Sequence, residues 1–300
     1  MEIVRRTLFE GELLTLGHAR ARPSPGNGDD LACQPANVLV LPLRGAFAMH
    51  GGPRQRALAT PGHAVLLAAE RLYRMSLPTA SGDDALTLRL TPRALAQLAP
   101  EAMAGTGFDV SAFEHCAPLE PGVILARTML WRHLELGHRD PLQMEEAAAH
   151  LLMAALRGAR RHAATRRRPA RKSARGLRQV GRVLEAVSAH PDWKWTLAKL
   201  AAIACVSPGH LAHVFREELG CSVYAHVLDA RLAKALDAVL ETDTTLAEIA
   251  LEAGFASHSH FTARFRARFG TTPAELRCKA TRGIAAELRR IVTARSAAPH

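Results

Sequence analysis

Histidine and cysteine are the residues of this chain best suited to catalysis or metal binding, and the sequence holds 15 histidines and five cysteines. The cysteines are scattered and never form a CxxC pair, the spacing typical of zinc and thiol-redox sites: Cys33, Cys116, Cys205, Cys221 and Cys278. An odd number of scattered cysteines favours free thiols in a reducing compartment over a disulfide framework.

The histidine spacing does not predict a metal centre. His18, His50 and His63 lack the HxH cluster that a metal-binding β-barrel would use. His258 and His260 flank Ser259 on one predicted helix, where contact with a nucleic acid is favoured over zinc. The chain has no GxSxG, HExxH or P-loop motif, and no GxGxxG between a strand and a helix. We therefore predict no catalysis, no cofactor and no metal.

The strongest pattern is an internal repeat in the C-terminal part. Thr196–Ala201 (TLAKLA) recurs as Thr245–Ala250 (TLAEIA). After one inserted residue the match resumes, pairing Leu211, Phe215 and Gly220 with Phe261, Phe265 and Gly270. Each copy predicts a helix, a tight turn and a second helix that ends at glycine.

The second copy carries the residues that such a unit needs. Thr245 is suited to cap its first helix, with Glu248 closing a capping box. Gly254 permits the sharp turn, and Ser257 is suited to cap the second helix. Phe261, with Phe265 four positions later, faces inward.

The first copy follows the same plan with weaker signals. Ser207 and Pro208 begin its second helix, whose inner face holds Leu211 and Phe215. Cys205 stands where the second copy has the turn glycine. Lys199 replaces the acidic partner of the capping box, which weakens the cap.

Charge is concentrated in the same part of the chain. The net charge is +11, and residues 163–300 hold 22 lysines and arginines against 12 acidic residues, a net charge of +10. This concentration of positive charge predicts a polyanionic partner. The alternative is that the charge serves solubility or belongs to a basic tail. A pair of helical hairpins that bind no DNA is the corresponding alternative for the repeat.

The segment between the copies, residues 222–241, shows helical periodicity. A helix of about 18 residues spans about 27 Å. Successive major-groove faces on one side of DNA lie about 34 Å apart. This length therefore fits one chain that contacts two successive turns of DNA.

The rest of the chain predicts a second domain. Short apolar runs over about 35–90, separated by glycine and proline turns, indicate antiparallel strands. Helical patterns follow at 92–99, 121–137 and 140–161. The last two helices either mediate dimerisation or bury their apolar faces against the β module. The predicted organisation is a β-rich domain at 1–162, a basic linker at 163–176, a helical domain at 177–278 and a helical tail at 279–300.

Residues 177–278 closely resemble the AraC/XylS-type family of bacterial transcription regulators. The resemblance rests on the pattern IAxxxGFxSxxxF…F…FGxxP between Ile249 and Pro273. More weakly, Ala59–Leu67 with Tyr73–Pro78 is similar to the small cupin-like sensor domains of some of these regulators. The resemblance implies an α+β protein: an N-terminal cupin-like β-barrel or sandwich with accessory helices, then two tandem helix-turn-helix units joined by a helix.

The resemblance also implies that helices 207–219 and 257–268 enter the major groove. The residues expected to face bases are Gly209, Ala212, His213, His258, Ser259, Thr262 and Ala263. Those expected at phosphates are Ser207, Arg216, Ser257, Arg264, Arg266 and Arg268. The chain departs from the family at His213 and Ala263, where arginine or lysine is usual, and at His226 and Leu276, where an aromatic residue is usual.

The function that follows is sequence-specific regulation of transcription in the cytoplasm, responsive to a small effector. Arg44, Tyr73 and Arg74 are the candidate effector residues. Expected partners are double-stranded DNA, RNA polymerase for an activator, the effector and a second copy of the chain; no membrane partner is expected. The alternatives are a metal-dependent cupin enzyme or a DNA-repair alkyltransferase fused to a DNA-binding domain, and a ligand-independent architectural DNA binder.

Overall fold

The computed structural model describes residues 1–24, 30–52, 55–98, 116–138, 140–165 and 174–280. These residues fall into two compact units, which divide between residues 171 and 172. The predicted tail at 279–300 lies almost entirely outside the described residues. Strands fill the first part of the first unit, whereas the second unit is helical, which confirms the predicted α+β class.

The N-terminal unit contains two antiparallel sheets. One has six strands in the order β1-β2-β9-β4-β7-β10, and the other has four in the order β3-β8-β5-β6. The strands are β1 (Glu2–Glu10), β2 (Leu14–Arg22), β3 (Asp30–Cys33), β4 (Asn37–Gly45), β5 (Phe47–Gly52), β6 (Gln55–Ala59), β7 (His63–Leu67), β8 (Leu72–Ser76), β9 (Asp83–Leu90) and β10 (Ala117–Pro118).

Side-chain alternation divides the buried residues of the six-stranded sheet between its two faces. Leu86 and Leu88 of β9 are fully buried on one face. Ala85 lies on the other and joins Val40 and Phe47 in a core cluster. The β1–β2 hairpin precedes residue 35, where the predicted β module begins. Most of β1 is exposed, so this strand lacks the apolar alternation that would have indicated it.

The described residues of this unit also form the helices α1 (Pro92–Leu98), α2 (Pro121–Glu135) and α3 (Pro141–Thr165). Arg127 of α2 is buried and donates Nη1 to the carbonyl oxygens of Pro42 and Pro61, at 2.5 and 2.6 Å. Glu145 of α3 accepts from the Leu13 backbone N–H at 2.7 Å. Both helices therefore contact the β module, as in the second of the two predicted alternatives, and a role in dimerisation stays a prediction.

Between residues 174 and 280 the C-terminal unit forms seven helices: α4 (Ala174–Ala189), α5 (Leu197–Ala204), α6 (Pro208–Leu219), α7 (Val223–Glu241), α8 (Leu246–Glu252), α9 (His258–Phe269) and α10 (Pro273–Ala280). The pairs α5–α6 and α8–α9 are the two repeats, and α7 is the helix that joins them. Its 19 residues span about 28 Å.

The ends of the predicted linker at 163–176 are helical. Helix α3 continues to Thr165 and α4 begins at Ala174. In the described part of the chain, no single helix is long and apolar enough to cross a membrane. The α5–α6 pair, bent by 80°, passes the length and composition criteria only when the two helices are taken together.

Candidate nucleic-acid interface

The second repeat is held by the caps that its sequence predicts. Thr245 and Glu248 form a reciprocal capping box at the start of α8, with backbone-to-side-chain distances of 3.1 and 3.3 Å. Hydrogen bonding to Thr245 lowers the pKa of Glu248. Gly254 has φ +83° in the turn. The Ser257 hydroxyl accepts from the His260 N–H at 3.1 Å and begins α9. The turn and both helix starts are therefore fixed locally.

The first repeat reaches the same geometry with one strained residue. Thr196 caps α5 and Ser207 caps α6. Cys205, at the position of Gly254, adopts φ 57° and ψ 47°, the left-handed region that disfavours a residue with a Cβ. The sharp turn is thus imposed by the packing of the unit and not by glycine.

Aromatic and aliphatic anchors hold the second helix of each repeat. In α9, Phe261 and Phe265 are fully buried, and their ring centroids lie 5.5 Å apart. In α6, Leu211 and Phe215 are fully buried. Because residues four apart share one face of a helix, each anchor pair leaves the opposite face towards solvent.

The residues expected to face bases lie on these outward faces. All seven are exposed except Thr262, which is partly buried: Gly209, Ala212, His213, His258, Ser259, Thr262 and Ala263. His213 lies 3.4 Å from Glu217 one turn later, and Thr262 contacts His258 at 3.4 Å. Nothing would lie within 4 Å of a Cβ at Gly209, so this part of α6 is open.

Most residues expected at phosphates are also exposed, including Ser207, Arg216, Ser257, Arg264 and Arg266. Arg268 differs, because it is paired within the protein. Its guanidinium contacts Asp229 of α7 at 3.0 and 3.1 Å, and only 28% of its side chain is exposed. This geometry favours positioning of α9 over contact with a phosphate.

Three side chains that make contacts within this unit were not predicted from the sequence. Gln179 of α4 is buried and contacts His210 at 3.3 Å. Arg182 donates to the Cys205 sulfur at 3.3 Å, which puts a cation beside the first turn. Asp229 holds Arg268. Each contact joins residues at least 23 positions apart, and local periodicity carries no signal for such pairs.

A loop after α4 contacts both α7 and the second repeat. Arg231 of α7 donates to the carbonyls of Pro191 and Trp193 at 2.9 and 2.8 Å. Lys234 pairs with Asp192 at 3.0 Å, and this hydrogen bond lowers the pKa of Asp192. A Cβ at Gly254 would lie 2.6 Å from the Asp192 carbonyl oxygen. The loop therefore connects α7 to the turn of the second repeat.

His226 of α7 is partly buried, and its Nε2 atom is fully buried. Its Nε2 has no hydrogen-bond partner, and its ring lies 5.5 Å from that of Phe215. Burial lowers its pKa to about 4. The imidazole thus packs as a neutral aromatic ring against an anchor of α6, at a position where the resembling family has an aromatic residue.

The candidate effector residues do not form one site. Tyr73 lines a cavity of about 70 Å³ between the two sheets of the N-terminal unit, and its hydroxyl accepts from the Gln34 amide at 2.8 Å. Arg44 and Arg74 are exposed and are not among the residues that line this cavity. Over the described ranges, no three histidine, cysteine or acidic side chains come together in a way that could hold a metal ion.

Comparison with known proteins agrees with this geometry. Residues 200–279 match the family described as "Helix-turn-helix domain". The chain is 29% identical over 100 residues to the HTH-type transcriptional regulator MtrA of Neisseria gonorrhoeae, covering 33% of each protein. It is 33% identical over 86 residues to the arabinose operon regulatory protein of Escherichia coli K12, covering 29% of this chain and 30% of that protein.

A solved structure of an AraC-type transcriptional regulator from Chromobacterium violaceum shares 24% identity. It covers 37% of this chain and 98% of that one, with a TM-score of 0.35.

Two capped helix pairs with outward polar faces define a helix-turn-helix protein. The family match and the relatives make the C-terminal part an AraC-type helix-turn-helix domain. The chain spans about a third of the length of the two curated relatives just described. The likeness of its N-terminal unit to cupin-like domains stays a prediction.

Proposed function

We propose that this protein is a sequence-specific DNA-binding regulator of transcription. The observation that carries the proposal is the shared design of α6 and α9. Each is anchored by buried apolar residues, capped by serine and exposed along the face that the family places in the major groove. Double-stranded DNA is the proposed partner, contacted on two successive turns because α7 separates the two helices.

Charge suggests unequal roles for the two units. Helix α9 contains three arginines and no acidic residue, whereas α6 contains Arg216 with Glu217 and Glu218. Phosphate contacts supply most of the affinity for DNA, and base contacts supply the specificity. We therefore propose that α9 provides most of the electrostatic attraction, with Arg264 and Arg266 at the backbone and His258 and Thr262 at base edges.

The N-terminal unit is proposed to sense a small effector and to change occupancy at the promoter, with no enzymatic step. The cavity beside Tyr73 supports this role. Arg44 and Arg74 do not line this cavity and are not proposed as effector residues. By analogy with bacterial regulators that have this type of domain, we also propose that the protein recruits RNA polymerase, forms a homodimer and is located in the cytoplasm.

Selection of bound duplexes from a randomised library by the full chain tests the proposal. A recurrent motif, with hydroxyl-radical protection in two segments about one helical turn apart, is the expected result. Uniform, salt-sensitive binding without a motif would support an architectural binder instead. Absence of binding would leave two helical hairpins that only stabilise the fold.

A further inference from the structure

The cavity between the two sheets of the N-terminal unit has a mainly apolar wall. Val38, Val40, Phe47 and Ala85 belong to both this wall and the core cluster. Four residues that are buried or partly buried add polar groups: Gln34, Tyr73, Asp83 and Thr87. Arg5 and Arg89 also line the cavity but are exposed. An apolar pocket with a few convergent polar groups is the usual form of a small-molecule site.

Asp83 is the anomalous group in this pocket. It is 5% exposed, and its Oδ1 is buried without a hydrogen-bond partner. The nearby Arg22 donates Nη1 to the Asp83 backbone carbonyl at 3.1 Å, and its Nη2 reaches Asp84 at 3.3 Å. A buried carboxyl oxygen without a partner is destabilising, so its presence calls for an explanation.

The backbone explains why the protein does not satisfy this carboxyl. Asp83 begins β9, where its cross-strand neighbours are Ala21 and Gly45. Neither neighbour has a side chain that can donate a hydrogen bond. Gly82 has φ +73°, and a Cβ there would lie 2.1 Å from the Ala21 carbonyl oxygen. The strands are thus packed closely around Asp83 and leave the cavity as its open side.

Burial and the neighbouring Asp84 raise the pKa of Asp83 to about 8, against a smaller opposing effect of Arg22. Near neutral pH the empty site therefore holds mostly a neutral carboxyl. A cation inside the cavity would stabilise the carboxylate, because an opposite charge close by favours the ionised form.

We propose that the cavity binds a small molecule that carries a protonated amine on a short apolar body, with Asp83 as the ion-pair partner of the amine. The apolar body would lie against Val40 and Phe47. A carboxylate ligand could not form this ion pair with Asp83, and an alcohol would supply no positive charge. The volume of about 70 Å³ is several times the roughly 10–15 Å³ that a single water needs, so a ligand of a few heavy atoms fits.

Binding has a defined proton balance. The neutral Asp83 carboxyl loses its proton to solvent, and the incoming ammonium group remains protonated and forms the ion pair. Any effect of the amine on DNA occupancy depends on the proposed regulatory function. Binding of the amine to the cavity does not depend on it.

Calorimetric titration of the full chain with propylamine tests the proposal. Experiments at pH 7 in two buffers of different ionisation enthalpy should give saturable one-to-one binding with nearly one proton released. Release should fall towards zero at pH 9.5. Propanol and propionate, which match propylamine in size, should bind at least tenfold more weakly.

Asp83→Asn should weaken propylamine binding at least tenfold. Asp243→Asn is the matched control, because Asp243 is an exposed aspartate of the C-terminal unit and does not line the cavity. It should bind within about twofold of the parent chain. Ala85→Leu fills the cavity with Asp83 intact and should also lose binding.

Equal propylamine binding by Asp83→Asn, equal binding of propanol, or no saturable binding by the parent chain would overturn the proposal. Should Asp83→Asn fail to fold, proton release by the parent chain decides the matter. The titration contains no DNA, so a negative result leaves the DNA-binding proposal standing, and failure to bind DNA leaves amine binding standing.

Discussion

Arg268 of α9 and Asp229 of α7 form a two-point ion pair, with Nε to Oδ1 at 3.0 Å and Nη2 to Oδ2 at 3.1 Å. Burial raises the pKa of Asp229 despite the arginine, so the carboxylate depends on this partner to offset its desolvation. The pair fixes the end of α9 against the helix that joins the two repeats. It therefore links the orientation of the second DNA-facing helix to α7.

The first prediction separates this positioning role from phosphate contact. Arg266→Gln removes an exposed charge and should lower the slope of log affinity against log salt concentration by about 1. Arg268→Gln should leave the slope unchanged, while the free energy of unfolding falls by about 0.2–1 kcal/mol, as for a partly exposed pair. Salt titrations of DNA binding and denaturant unfolding provide the measurements. A reduced slope for Arg268→Gln alone would place Arg268 at a phosphate.

The second prediction concerns the turn of the second repeat. Gly254→Ala should lower the free energy of unfolding by about 1–3 kcal/mol, because φ is +83° and the new methyl would press on the Asp192 carbonyl. Gly209→Ala is the matched control, since it lies within α6 with open space around it. That variant should gain about 0.5–1 kcal/mol. Similar effects of both substitutions would contradict the described turn.

The strained turn of the first repeat gives a third prediction. Cys205→Gly should raise the stability of the domain by about 1 kcal/mol, because glycine adopts φ 57° without the steric cost of a Cβ. Cys205→Ala serves as the control: it also loses the Arg182 contact but keeps the Cβ, so no gain is expected. Chemical denaturation of both variants shows whether backbone strain at residue 205 or the loss of the sulfur contact determines the change in stability.

The fourth prediction is a pH dependence. The unfolded chain holds His226 near its ordinary pKa of 6.5, whereas the folded chain holds it at about 4. The unfolded state therefore binds more protons between these values, and stability contributed by the neutral ring is lost as pH falls below about 6.5. The expected loss is on the order of 1–3 kcal/mol by pH 4.

His226→Phe should remove this part of the acid sensitivity, since phenylalanine packs a ring that does not titrate. Denaturant unfolding of both proteins from pH 8 to pH 4 tests it. Parallel curves for the two proteins would show that His226 is not the group responsible. Asp83 acts in the opposite direction, because its raised pKa weakens the N-terminal unit as pH rises towards about 8, so the comparison must be made between variants.

Local sequence predicted the C-terminal unit well. The caps at Thr245 and Ser257, the turn at Gly254 and the anchors Phe261 and Phe265 all depend on residues within a few positions of each other, and the structure has them as expected. Prediction was less complete for β1, whose exposed arginines hide its pairing with β2. The reason is that strand pairing depends on the partner strand and not on the segment alone.

The features of the candidate sites that the sequence did not predict depend on long-range contacts. Arg268 looks like a phosphate ligand until Asp229, 39 positions earlier, is placed beside it. Asp83 resembles any surface aspartate until β2 and β4 are placed on either side of it. Arg44 and Arg74 were reasonable effector candidates by charge, but both are exposed in the folded unit.

The exposed faces of α6 and α9 are proposed to select bases. The most direct test compares the motif that the full chain selects from a randomised duplex library with those selected by His213→Ala, His258→Ala and Thr262→Ala. We predict that His258→Ala and Thr262→Ala relax selection at base pairs of one half of the motif, and that His213→Ala affects only the other half. An unchanged motif in all three variants, or uniform loss of affinity without loss of base preference, would contradict the account.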